Sequence, residues 1–153
     1  MIKNEISSRS KILELEKTLL KNVDGTNVIG NKGEVVRSKK FPLKHTFADG
    51  IYVRQMTMEK DSVVVGAIHN HSHVWFLLTG NITVTTESST EDYIAPCYVV
   101  STPGVKRVIY ANEESIFVNI HKNPSNTKNL DELEAEIVSI NYKEYEQYIN
   151  KNK

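Results

Sequence analysis

The sequence predicts an antiparallel β-sandwich or barrel with helical ends, and three observations carry that reading. Between Phe41 and His121 the chain is a series of short runs rich in β-branched and aromatic residues. Turn formers punctuate those runs at Asp49-Gly50, Glu59-Lys60-Asp61, Thr79-Gly80-Asn81, Ser88-Ser89, Pro103-Gly104 and Asn112-Glu113-Glu114. Beyond them, both ends of the chain place apolar residues at helical spacing. Seven or eight strands so spaced fit a closed antiparallel architecture and not an alternation of strands and helices.

Residues 8 to 23 come first, with Ile12, Leu15, Leu19 and Val23 on one helical face and Asp24-Gly25 as a stop. The polar stretch 24–40 reads as a loop leading into a strand at Glu34 to Arg37. Strands are then expected at Ile51 to Met58, Ser62 to His69, Val74 to Leu78, Asn81 to Glu87, Tyr98 to Ser101, Val105 to Tyr110 and Ile116 to His121. After Pro124, Asn129 with Glu132 three residues on is a capping signal for a helix carrying Leu130, Leu133, Ile137 and Ile140. A second short helix, Tyr142 to Ile149, repeats tyrosine every three residues and is expected to pack on its own domain. The organisation is therefore an N-terminal helix and lead-in over 1–40, a barrel over 41–123 and a helical tail over 124–153, one structural domain at 153 residues.

Nineteen Lys and Arg balance nineteen Asp and Glu, with no long basic stripe, so neither a nucleic-acid polymer nor an anionic membrane is an expected partner. The apolar runs are too short to span a bilayer and the N-terminus lacks a signal-like hydrophobic region, so a cytoplasmic location is expected. Cys97 is the only cysteine, which excludes an internal disulfide and a cysteine-based zinc site within one chain.

The segment Gly66-Ala-Ile-His69-Asn-His71-Ser-His73-Val-Trp75 is the richest in chemistry. Alternate residues of an extended chain point the same way, so these imidazoles converge where one strand ends and the next begins. Converging imidazoles suit a metal or a proton-transfer site. Along the last strand Phe117, Asn119 and His121 share a face, and His45 is a further candidate, so all five histidines fall inside the barrel region. Lys106 and Arg107 face opposite sides; an inward Arg107 calls for a carboxylate partner or an anionic ligand, and Arg54 is placed to join it. Trp75 and Tyr110 are candidates for stacking on a planar ligand, and His71 for contacting it.

With the histidine cluster and the two glycine turns placed, residues 41–121 resemble the cupins, small jelly-roll β-barrels. Counting back from Gly80 along the family's first motif puts His73 at its glutamate position, His69 at its second histidine and Ala67 at its first. In the second motif Thr102 and Gly104 fall on the turn, Arg107 at the histidine position and Ala111 at the asparagine position. The strings Ile68-His-Asn-His-Ser-His73, Ser101-Thr-Pro-Gly-Val-Lys-Arg107 and Ile120-His121 look most like small cupins encoded by tailed phages, where the location would be the host cytoplasm.

What the resemblance implies is a cupin-type jelly-roll that binds a small molecule and forms a homodimer or higher homo-oligomer. Its expected metal ligands are His69, His73, His121 and His45, holding Zn, Ni, Fe or Cu, with Arg107, Arg54, His71, Trp75 and Tyr110 as ligand contacts. Three other functions stay open: a metal-free pocket that captures an anionic, nucleotide-like molecule, a metal-dependent hydrolase or lyase with His71 or His45 as base, and a virion structural protein. No catalytic residue is assigned.

Overall fold

The computed structural model describes residues 2–21, 27–29 and 41–153. Helix α1 (Ile2–Lys21) is followed by β1 (Asn27–Ile29), β2 (Leu43–Ala48), β3 (Ile51–Met58), β4 (Val63–Val65), β5 (Ile68–His69), β6 (His73–Thr79) and β7 (Asn81–Thr85). Then come β8 (Thr90–Ile94), β9 (Cys97–Ser101), β10 (Val108–Ala111), β11 (Ser115–Lys122), α2 (Leu130–Ile137), β12 (Val138–Ser139) and α3 (Tyr142–Lys151). Two five-stranded sheets result, ordered β1-β4-β10-β7-β8 and β2-β3-β11-β6-β9, with β12 and β5 as a separate pair. Among the described residues every pairing is antiparallel except β1 with β4.

The core lies between the two sheets. Met56, Met58, Trp75, Leu77 and Phe117 from the second sheet meet Val64, Ile82, Val84, Ile109 and Ala111 from the first, with Phe41 among them. Alternation along β6 explains this, since His73, Trp75 and Leu77 point inward while Val74 and Phe76 point out. At one end of the sandwich Leu133 and Ile137 of α2 cover Tyr52. Asn129 caps α2 as the sequence predicts, its side chain accepting from Asp131 N–H and Glu132 N–H.

The departures have local causes. Strands β2 and β8 were not expected, because Lys44 and Thr46 dilute one and Thr90-Glu-Asp92 make the other look like turn. The run Ser62 to His69 is broken at Gly66-Ala67, where the Gly66 N–H turns to the Arg107 carbonyl at 2.8 Å. The Val105 to Tyr110 run becomes regular only at Val108. Ile140 leaves the helix, since Val138-Ser139 pairs with Ile68-His69. Helix α1 starts at Ile2, ahead of Ser8; Ile12 is buried on it, Leu15 is exposed, and the predicted strand Glu34 to Arg37 and the side chain of Val23 lie outside the described residues.

Both residues at Lys106-Arg107 are buried, which the strand argument excluded. They lie in the irregular lead-in to β10, and Lys106 turns under α1, where its Nζ donates to Glu16 Oε1 at 3.1 Å and to the Gly66 carbonyl at 2.9 Å. The tyrosines of α3 dock on the domain as expected: Tyr142 donates to Glu87, Tyr148 meets His71, and Tyr145 covers Gly104.

Candidate functional site

Strand register assembles a polar layer at the α2 end of the second sheet. Phe47 pairs with Tyr52, Tyr52 with His121, and His73 with Ser101. The next row inward is His45, Arg54, Asn119, Trp75 and Val99, and the one after it, Leu43, Met56, Phe117, Leu77 and Cys97, is apolar. The site is therefore the rim at which the hydrophobic core gives way to polar side chains.

His69 enters from the β5 turn. That turn is fixed by Asn70, whose N–H donates to the Ile137 carbonyl at 2.8 Å, whose side-chain amide donates to the Glu136 carbonyl, and whose Oδ1 accepts from Ser139 Oγ at 2.6 Å. The His69 carbonyl accepts from the Gly104 N–H at 2.8 Å, which ties the histidine turn to the loop carrying Arg107. Gly104 sits at φ +82, and a Cβ there would press 2.9 Å from the Tyr145 ring, so glycine is required at this crossing.

Three imidazoles gather as expected. Ring centroids lie 4.2 Å apart for His69 and His73, 4.8 Å for His73 and His121, and 5.5 Å for His69 and His121. Arg107 is the fourth member, buried like the others. Its guanidinium donates to Ser101 Oγ at 3.0 Å, to His73 Nε2 at 3.2 Å and to Asn119 Oδ1 at 3.4 Å, and lies 5.9 Å above the Phe117 ring.

The electrostatics follow from burial. It lowers the pKa of His73 to about 4 and that of His121 to about 2, with neighbouring cationic groups adding to the effect. His69 is pushed well below its ordinary value, first by burial and then by Arg107. All three rings are neutral at pH 7. Burial also lowers Arg107, to about 10, which leaves it a cation. Among the described residues its hydrogen-bond partners are all neutral; the Glu87 carboxylate, bound to the Lys106 N–H, acts on it through space and opposes the lowering by burial, while the salt bridge of Lys106 goes to Glu16. Among the described residues the buried His69 Nδ1 has no hydrogen-bond partner.

The expected metal centre does not fit this arrangement. Among the described residues no group of three His, Cys, Asp or Glu side chains is disposed to hold a metal ion. His69 is stacked on His73 and on His121, with interplanar angles of 25° and 12°, so the rings face one another. The guanidinium at His73 Nε2 also places positive charge where a metal would bind. His45 is set apart: its Nδ1 is 2.7 Å from Tyr52 Oη, and the Tyr52 ring, which stacks on His45, stacks also on His121.

Other expected contacts fall elsewhere. Trp75 is core, packed on Phe117 and Tyr93, and Tyr110 is on the outer surface with its hydroxyl on Asp61. His71 stays in the turn, with Nε2 2.8 Å from Tyr148 Oη. Arg54 is half-buried beside His45 and Asn119, in the row next to the imidazoles. Sequence reasoning missed Ser101, Asn119, Asn70 and Tyr52 as site supports. Asn119 was within reach, since it shares a strand face with His121; Ser101 depends on the β6–β9 pairing, which no local pattern announces.

No protein-family model and no curated protein sequence matches the chain. Solved structures do resemble it. Salicylate 1,2-dioxygenase from Pseudoaminobacter salicylatoxidans, in its adduct with gentisate, is similar at a TM-score of 0.53 with 10% identity, over 67% of this chain and 29% of that one. A cupin 2 conserved barrel domain protein from Leptotrichia buccalis is similar at 0.51 with 12% identity, over 61% and 45%. The chain thus spans less than half the length of either. At such identities the likeness defines the architecture: this is a cupin-type jelly-roll β-barrel with helical ends.

Proposed function

We propose that the chain is a small-molecule-binding cupin whose pocket takes a single anionic group, a phosphate or a carboxylate, without a metal. The observation that carries this reading is Arg107, a buried guanidinium whose hydrogen-bond partners are all neutral. A buried cation with no carboxylate in hydrogen-bond contact is costly; Glu87 offsets part of that cost through space, and an anion binding directly relieves the rest. Around it lie neutral imidazoles and the unpartnered His69 Nδ1, which are hydrogen-bonding groups for the ligand's remaining oxygens. Arg54, half-buried one row away, adds long-range attraction.

Thermal unfolding in the presence of a chelator tests the proposal. Inorganic phosphate, acetate, malonate and a nucleoside monophosphate are compared with chloride at equal ionic strength. A bound anion at a hundred times its Kd stabilises by about 2.7 kcal/mol, which for a chain of this size is a rise in Tm of roughly 5–10 °C. Equal Tm in all of them, with a rise only when the chelator is removed and Zn, Ni, Fe or Cu is added, would replace the anion reading by the metal one.

A further inference from the structure

Glu87 follows β7 by two residues, and one oxygen of its half-buried carboxylate accepts two hydrogen bonds from distant parts of the chain. One comes from the Lys106 N–H at 3.0 Å, the other from the Tyr142 hydroxyl of α3. Burial first, and then this carboxylate, push the Tyr142 hydroxyl above its ordinary value, so it stays a donor. Arg9 of α1 lies 4.5 Å above the same tyrosine ring. The β7–β8 hairpin, the lead-in to β10 and two helices therefore meet at one side chain.

Arg107 is the residue after that Lys106 N–H. Its stretch of backbone becomes a regular strand only at Val108, so no ladder fixes it, and three single bonds stand in for one. The Gly104 N–H donates to the His69 carbonyl and the Gly66 N–H to the Arg107 carbonyl, each at 2.8 Å. Those two join backbone to backbone and ask nothing of the side chains. The third, at Lys106, depends on Glu87. The same carboxylate acts on the guanidinium through space, so it also offsets part of the positive charge offered to a ligand.

We infer that Glu87 is a positioning and specificity residue of the anion pocket: it holds the backbone from which Arg107 reaches the imidazoles, and its charge biases the pocket toward singly charged anions. The inference rests on the anion reading above. Repulsion from a fixed carboxylate grows with the charge of the ligand, so it falls harder on a phosphate dianion than on a carboxylate. Glutamine at this position separates the two roles, since its side-chain carbonyl accepts the same two hydrogen bonds without the charge. Alanine loses both.

Titration calorimetry of the full chain decides it, with acetate and inorganic phosphate as probes at about pH 8, where phosphate is chiefly a dianion. Glu87→Gln is expected to bind acetate about threefold and phosphate about tenfold more tightly than wild type. Glu87→Ala, equally uncharged but unable to hold the Lys106 N–H, is expected to bind both at least about tenfold more weakly than Glu87→Gln. If Glu87→Ala fails to fold, Glu87→Asp, which keeps the charge and shortens the reach, is expected to weaken both anions relative to wild type. Equal affinities in the Gln and Ala variants, or a gain in Glu87→Gln no larger for phosphate than for acetate, would overturn the inference; a merely structural role would not separate the anions by charge. A wild type that binds neither probe is a failure of the anion reading itself. The positioning role is then read by NMR from hydrogen exchange of the Arg107 guanidinium, expected at least about tenfold faster in Glu87→Ala than in Glu87→Gln, and equal rates would overturn it.

Discussion

Replacing Arg107 by methionine should leave the ligand-free protein close to wild-type stability, against the usual rule for a buried side chain. The substitution removes three hydrogen bonds, to Ser101, His73 and Asn119, each from a charged donor and worth about 1.5–3 kcal/mol. It also removes a buried cation with no carboxylate in hydrogen-bond contact, whose desolvation costs several kcal/mol, and even whole buried ion pairs are often replaced by apolar groups of similar volume at no loss of stability. The methionine stem keeps most of the volume beside Phe117, so little cavity cost is added. The two effects are of similar size, and the expected net change lies within about 2 kcal/mol of zero, a Tm change of no more than roughly 8 °C. Urea unfolding in buffer free of phosphate and carboxylates measures it. A loss of more than about 2 kcal/mol would show that the guanidinium is already satisfied by the fold, and the case for a waiting anion would fail.

Three further outcomes follow from the same structure. His69, His73 and His121 all have folded pKa values below the unfolded 6.5, so the unfolded chain binds the extra protons; stability is full above about pH 6.5 and falls as pH drops toward 4, by about 1.4 kcal/mol per histidine per pH unit. Denaturant titrations at pH 7.5 and 5.5 should show this loss, and His73→Gln should shrink it; a pH-independent midpoint would mean that the rings are not held neutral. Glu16→Ala should destabilise by about 3 kcal/mol because it strands the buried Lys106 ammonium, whereas Lys106→Met, which leaves only a partly exposed carboxylate, should cost less; the reverse order in chemical unfolding would contradict the pairing. Gly80 sits at φ +89 where a Cβ would collide with Ser115 Oγ and the Glu114 carbonyl, so Gly80→Ala should lower stability by more than about 2 kcal/mol, and an unchanged urea midpoint would place that turn elsewhere.

Much of the barrel was legible because its signals are local. Alternation around Trp75, the turn at Thr79-Gly80-Asn81 and the Asn129 cap each depend on residues a few positions apart, and each stands where expected. The gathering of His69, His73 and His121 was legible for the same reason, two from one turn and one from the alternation of β11. What local pattern does not contain is the chemistry of that gathering. The stacking of the rings and the position of Arg107 against His73 depend on Ser101 and Asn119, brought in by pairings across β9 and β11. Lys106 shows the same limit: it is buried by a helix ninety residues earlier in the chain, which no reading of its own strand reveals.

The central claim is that a buried guanidinium defines an anion pocket, and titration calorimetry of metal-free protein against phosphate and small carboxylates tests it most directly, wild type beside Arg107→Met. The expected result is one anion bound per chain, with affinity reduced in the variant by about 2–5 kcal/mol, roughly thirtyfold to several-thousandfold. The contradicting result is equal anion affinity in both proteins, together with near-stoichiometric divalent metal that is lost when His69 and His73 are replaced by alanine.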